Sequence, residues 1–277
     1  MTSTSSSDAR PPRAKKWFGQ HFLSDANILR RIADAADIQS DECALEIGPG
    51  RGSLTAELAS RARRVVAVEV DRELIAPLRE RFASAKNVAI VEADVLAHAP
   101  AELLQMGGAQ PPYVVVANLP YNIAAPAIRL FLEADVRPRR MVVMVQREMA
   151  DAMVAKPGKM SLLSVATQVY GDARMVMRVA PGSFTPPPNV QSAVVRIDVA
   201  RTPRVDVPMD AFFEVARAGF GNPRKKLRNS LSFGLYMKQE RVEEMLRDAG
   251  VDPDLRPQAL TIDQWAAIAR AWIARRS

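Results

Sequence analysis

The chain has 277 residues, 48% hydrophobic and 25% charged, with a formal net charge of +7. That length allows one large domain plus a small one, and the basic balance favours a polyanionic partner, most often nucleic acid. A single cysteine, Cys43, excludes an intramolecular disulfide, the widely separated His21 and His98 argue against a zinc site, and no apolar run approaches the ~20 residues of a membrane span.

Residues 1–16 are rich in Ser, Thr, Pro and Arg and lack the apolar core of a signal peptide, so they read as a disordered basic tail on a cytoplasmic protein. Ile28, Leu29, Ile32, Ala33 and Ala36 recur at helical spacing, which predicts a helix from about Asp25 to Asp37 with Ser24 as N-cap. Strand and helix then alternate. Strands are predicted at 44–47, 65–70, 88–91, 114–117 and 141–145, and helices at 54–61, 73–82, 124–132 and 161–170. The strands are near-continuous apolar runs, as a parallel sheet covered on both faces requires. Two further β-like runs, 175–179 and 193–197, suggest an antiparallel pair at the sheet edge. After a proline-containing stretch at 201–208, helical patterns at 209–220, 224–233, 241–249 and 262–273 predict a small all-α domain. The expected organisation is tail 1–16, catalytic α/β domain 17–200 and helical domain 201–277.

Chemistry concentrates at the predicted strand ends, where open α/β sheets bind ligands. Glu46-Ile47-Gly48-Pro49-Gly50-Arg51-Gly52 joins the first sheet strand to its helix, and glycine there lets a ligand approach the backbone. Glu69 ends the next strand, placed to take both hydroxyls of a ribose, and Asp94 follows the third, placed for an adenine amino group. The glycine spacing matches neither the dinucleotide fingerprint nor the P-loop. Glu46 beside the loop would repel a pyrophosphate but suits an ammonium or sulfonium, which points to S-adenosylmethionine (SAM). Asn118-Leu119-Pro120-Tyr121 ends the fourth strand with a carboxamide, a proline-fixed turn and an aromatic ring, a group suited to holding an amino group on a flat ring. Arg224, Lys225, Lys226 and Arg228 fall in a stretch without acid from Val215 to Gln239, which favours phosphate contacts. A second basic group, Arg137, Arg139, Arg140 and Arg147, is compatible with the same role or with a solvated face.

These motifs resemble those of the ribosomal RNA adenine N6,N6-dimethyltransferases, most closely the bacterial enzymes acting on small-subunit (16S) rRNA. The resemblance rests on Phe18-Gly19-Gln20-His21-Phe22-Leu23, Glu46-Ile47-Gly48-Pro49-Gly50, Asn118-Leu119-Pro120-Tyr121-Asn122-Ile123, the late run from Ser183 to Val190 with Ser192-Ala193-Val194-Val195, and Leu227-Arg228-Asn229-Ser230-Leu231. It implies a Rossmann-like SAM-dependent methyltransferase sheet with a small C-terminal all-α domain. It implies SAM contacts at His21, Leu23, Gly48, Glu69, Asp94 and Asn118, with His21 standing where the family commonly has Asn. It implies dimethylation at N6 of two adjacent adenosines near the 3′ end of 16S rRNA during small-subunit biogenesis, and the chain is expected to be a monomer without a metal or membrane association. In that reading the Asn118 oxygen and Leu119 carbonyl accept from N6, Tyr121 stacks on the adenine, and Phe184 is either a second stacking ring or a structural anchor. The alternatives are a 23S rRNA adenine methyltransferase and a non-catalytic assembly factor on the same scaffold.

Overall fold

A computed structural model describes residues 21–276. The expectations for the 1–16 tail and for Phe18-Gly19-Gln20 lie outside the described residues. The chain begins with a two-residue strand, β1 (Phe22–Leu23), and helix α1 (Ala26–Ala36). There follow β2 (Cys43–Ile47), α2 (Ser53–Ala59), β3 (Arg64–Glu69), α3 (Arg72–Arg81), β4 (Val88–Glu92), α4 (Pro100–Met106), β5 (Tyr113–Asn118), α5 (Ala124–Glu133) and β6 (Arg140–Gln146). Helices α6 (Arg147–Met153) and α7 (Leu162–Gln168) lead to β7 (Gly171–Val179), β8 (Phe184–Thr185) and β9 (Ser192–Val199). The C-terminal helices are α8 (Met209–Phe220), α9 (Leu227–Gly234), α10 (Gln239–Asp248) and α11 (Ile262–Arg276).

Seven strands form one sheet in the order β4-β3-β2-β5-β6-β9-β7, and β1 pairs with β8 in a separate ribbon. β2 to β6 are parallel, and β9 runs antiparallel between β6 and β7, as the edge-pair expectation required. Alternate residues of β5 serve opposite faces. Val115 and Ala117 join one core cluster, Val114 and Val116 the other, because side chains in a strand alternate with period two. The chain winds outward through β2, β3 and β4, then returns to place β5 beside β2. A doubly wound sheet opens a ligand crevice at such a reversal.

The larger core cluster does not stop at the sheet. Phe212, Leu231, Leu246 and Trp265 of the helical region belong to the same cluster as Val115. Tyr170 meets Phe213 with ring centroids 6.3 Å apart, and the amides of Gly158 and Met160 both donate to the Gln258 carbonyl. The C-terminal helices are thus docked on the sheet unit through apolar contacts.

Two expectations are corrected. Asp25, not Ser24, caps α1: its carboxylate accepts from the amides of Asn27 (2.9 Å) and Ile28 (3.3 Å), while the Ser24 amide and hydroxyl both donate to the Ser183 carbonyl. The helix expected from Arg224 begins at Leu227. Residues 221–226 form turns, and the Leu227 and Arg228 amides donate to the carbonyls of Leu255 and Pro253. In the group Arg137, Arg139, Arg140 and Arg147, two members are engaged in ion pairs and Arg147 is exposed. Arg139 pairs with the buried Glu42, Arg140 with Asp37 (2.8 Å) and Asp198 (2.5 Å). Arg137 lies over Tyr170 and donates to the Arg201 carbonyl, and Arg147 donates to the Gln191 side chain.

Candidate active site

A cavity of about 480 Å³ opens at the C-terminal ends of β2, β3 and β5. Its lining contains every residue expected to touch the cofactor or the target base: His21, Leu23, Gly48, Glu69, Asp94, Asn118, Leu119, Tyr121 and Phe184. They come from six segments of the chain, brought together because parallel strands end side by side.

The glycine loop leaves β2 in a left-handed conformation, with φ of 66° at Gly48 and 57° at Gly50. Only glycine adopts such angles without strain. A Cβ at Gly50 would also lie 3.1 Å from the Phe22 ring. Phe22 packs over the loop, with the Arg51 guanidinium 4.6 Å from its ring centroid.

Glu69 is buried and its carboxylate is held from two sides. Oε1 accepts from the amides of Val70 and Asp71 at 3.0 Å each, and Oε2 from the Gly50 amide at 3.2 Å. Desolvation nevertheless raises its pKa above the usual carboxylate range, the backbone donors opposing the effect. Glu46 is fully enclosed and accepts from the Thr55 hydroxyl at 2.6 Å. Burial pushes its carboxyl up to about 8, with the neighbouring Glu69 charge adding to the rise. Two acids beside one cavity favour a cationic ligand over a polyphosphate. Asp94 is exposed at the cavity edge, where Oδ1 accepts from the Leu96 amide at 2.9 Å.

At the end of β5, Asn118 is oriented by its own donor. Nδ2 donates to the His21 carbonyl at 3.2 Å, which commits the nitrogen and leaves Oδ1 as the atom suited to an incoming N–H. Leu119 is buried, and its amide donates to the Met144 carbonyl at 3.1 Å. The peptide group that follows, between Leu119 and Pro120, has a carbonyl and no N–H. Tyr121 shares a hydrogen bond of 2.9 Å with Ser192, and its ring lies 6.1 Å from that of His21 at 31°. His21 Nδ1 donates to the Pro186 carbonyl at 2.8 Å. Phe184 is buried in the cluster that holds Leu23 and Leu29 while lining the cavity. Its backbone pairs with Leu23 across the β1–β8 ribbon, so the anchoring role is visible in the packing.

Two residues with no role in the sequence reading join this site. Ser192 stands 71 residues from Tyr121 and entered only as part of a family motif. Thr55 lies in a helix with no polar pattern to single it out. The basic run is split. Lys226 pairs with Asp254 (3.0 Å), and Arg228 with Asp254 (2.6 Å) and Glu243 (3.5 Å). The acids come from other elements, which no window along residues 215–239 reveals. Arg224 and Lys225 are exposed and make no ion pair among the described residues.

The family model described as Ribosomal RNA adenine dimethylase matches residues 12–273. The chain belongs to the ribosomal RNA adenine dimethylase family. Among its relatives, the Ribosomal RNA small subunit methyltransferase A of Dehalococcoides mccartyi (strain ATCC BAA-2266 / KCTC 15142 / 195) is 43% identical over 254 residues, 91% of this chain and 86% of that one. The protein of the same description from Bacillus mycoides is 42% identical over 267 residues, 94% and 91% of the two chains. Of solved structures, the 23S rRNA methyltransferase ErmE superposes with a TM-score of 0.73 at 29% identity, over 90% of this chain and 98% of that one. A dimethyladenosine transferase from Plasmodium falciparum shares the fold at TM-score 0.79 and 23% identity, covering 92% and 98%. As a member of this dimethylase family the chain is a SAM-dependent RNA methyltransferase on a Rossmann-like sheet. The donor set fits that cofactor: carboxylates for ribose hydroxyls and a cation, and an apolar wall at Val68, Val70 and Val95.

Proposed function

We propose that this dimethylase acts on the small ribosomal subunit, converting two adjacent adenosines near the 3′ end of 16S rRNA to N6,N6-dimethyladenosine. The observation that carries the chemistry is Asn118: it lines the cavity and its nitrogen donates to the His21 carbonyl, which leaves the oxygen as the acceptor for an incoming N–H. The choice of small subunit rests on relatives that bear that description over nine-tenths of this chain. Glu69 would hold the ribose, Asp94 the adenine amino group, and His21, Leu23, Gly48 and Asn118 the remainder of SAM, which supplies an electrophilic methyl group.

The chain's own residues have three tasks. The N6 lone pair of adenine is delocalised into the ring, so N6 is a poor nucleophile. Acceptors at its hydrogens, Asn118 Oδ1 and the Leu119 carbonyl, favour the more tetrahedral nitrogen and the positive charge developing there. Tyr121 stacks on the adenine, a contact worth about 1–3 kcal/mol, and Phe184, buried within the β1–β8 ribbon, forms part of the cavity wall. Holding the base unstacked within reach is itself a large part of the rate. No general base is required, because the N6 proton becomes acidic once nitrogen is alkylated. Arg224 and Lys225 contact phosphate, and Lys226 and Arg228 would do so only by giving up Asp254.

Incubation with labelled SAM and small subunits lacking the modification tests the proposal. Label is expected in small-subunit RNA, with binding that weakens steeply as salt is added. Label confined to large-subunit RNA, or none despite intact SAM binding, would overturn it.

A further inference from the structure

The end of α9 displays two aromatic rings to solvent. Phe233 is 73% exposed and Tyr236, two residues past the helix, is 95% exposed. Neither is needed by the core, which already contains Leu231 and Leu235 from the same segment. The segment is firmly seated. A Cβ at Gly234 would lie 2.5 Å from Ala218 Cα, so α9 crosses α8 there at close range. The Met237 amide returns to the Ser232 carbonyl at 3.1 Å, and the Ser232 hydroxyl donates to the Met237 carbonyl at 2.6 Å.

That closure places Tyr236 in the left-handed region, at φ 55°. Helices that end this way usually carry glycine or asparagine at this position, because a Cβ strains the backbone. Glycine would serve the turn better. A tyrosine that fills a strained position and buries nothing points to a use for the ring. Flanking cations indicate its partner. Arg224 and Lys225 precede α9, Lys238 and Arg241 follow Tyr236, and all four are exposed without an ion pair among the described residues. Between residues 215 and 241 the only acid is Glu240.

We infer that Phe233 and Tyr236 form a stacking platform for unpaired nucleotides of the RNA substrate, outside the methylation cavity. Aromatic faces accept any base, and neighbouring cations hold the backbone that carries it. The inference rests on the small-subunit RNA reading above and adds a contact that is apolar rather than ionic.

That difference makes it measurable. Binding of full-length protein to unmodified small subunits is followed across a salt series for wild type, Phe233→Ala, Tyr236→Gly, and Arg224→Ala with Lys225→Ala. Phe233→Ala and Tyr236→Gly should each weaken binding about tenfold and leave the salt slope unchanged. The double basic variant should flatten the log–log slope by about 1.5. Tyr236→Gly should at the same time raise the thermal midpoint by about 2–4 °C, and Tyr236→Trp should restore affinity. Aromatic variants that bind as wild type does would overturn the platform alone. A wild-type protein that binds neither small subunits nor their RNA would overturn the RNA reading and the platform with it.

Discussion

Asn118 lines the cavity with its nitrogen donating to the His21 carbonyl, which leaves Oδ1 as the acceptor of the proposed reaction. Asn118→Ala removes an acceptor placed for developing charge and should lower single-turnover methyl transfer by about 10²-fold or more, while Glu69 and Asp94 keep SAM binding in part. Tyr121 carries a second, finer prediction. Its hydroxyl meets Ser192 at 2.9 Å, so Tyr121→Phe and Ser192→Ala remove the same bond. Each should cost about three- to tenfold in methyl transfer, and the double variant should be no worse than either single one. Losses that multiply would separate the two residues. Glu46 sets a pH dependence. Its carboxyl releases a proton near 4.5 when the chain is unfolded and near 8 in the folded protein. Between those values the folded state binds more protons, so this group's contribution makes stability fall as pH rises through the window. Glu46→Gln should flatten that fall in thermal melts. A cation bound beside Glu46 favours the ionised form, so SAM affinity should climb with pH up to about 8, and titration calorimetry would show protons released.

At the scale of elements, the glycine loop separates two effects. Gly48→Ala strains a backbone at φ 66° but meets no protein atom within 4 Å, whereas Gly50→Ala strains φ 57° and presses on Phe22. Each should cost about 1 kcal/mol or somewhat more in stability, with Gly50→Ala the costlier. Gly48→Ala should weaken SAM binding beyond its effect on folding, as equilibrium dialysis would detect. Unchanged affinity would mean that the loop does not approach the ligand. The sheet strands and most helices were legible in the sequence because buried parallel strands are continuous apolar runs with polar breaks. The gathering of Gly48, Glu69, Asp94 and Asn118 in one cavity was legible because each stands at the end of such a run. Helices α4 and α6 were missed, although α2 and α7 of the same seven-residue length were read, so length alone did not decide legibility. The β1–β8 ribbon has two residues a side, paired across more than 160 positions, and its ends carry no local pattern. Pairings of that kind, with the Tyr121–Ser192 bond and the Asp254 ion pairs, belong to the tertiary fold and leave no trace in a window of sequence.

Over the whole molecule, one apolar cluster joins the sheet to the C-terminal helices, so the cavity and the exposed cations of the helical region are carried on a continuous core. Such a body keeps the exposed Arg224 and Lys225 at a fixed relation to Asn118 in the cavity. No described helix is long and apolar enough to cross a membrane. The activity proposed for this cavity is dimethylation of two particular adenosines of the small subunit. Mass analysis of ribonuclease fragments from small subunits treated with the protein and SAM tests it most directly. The expected result is a gain of four methyl groups on two adjacent adenosines near the 3′ end of 16S rRNA, absent with Asn118→Ala. Methylation at a single adenosine, at a base other than adenine, or only in large-subunit RNA would contradict it.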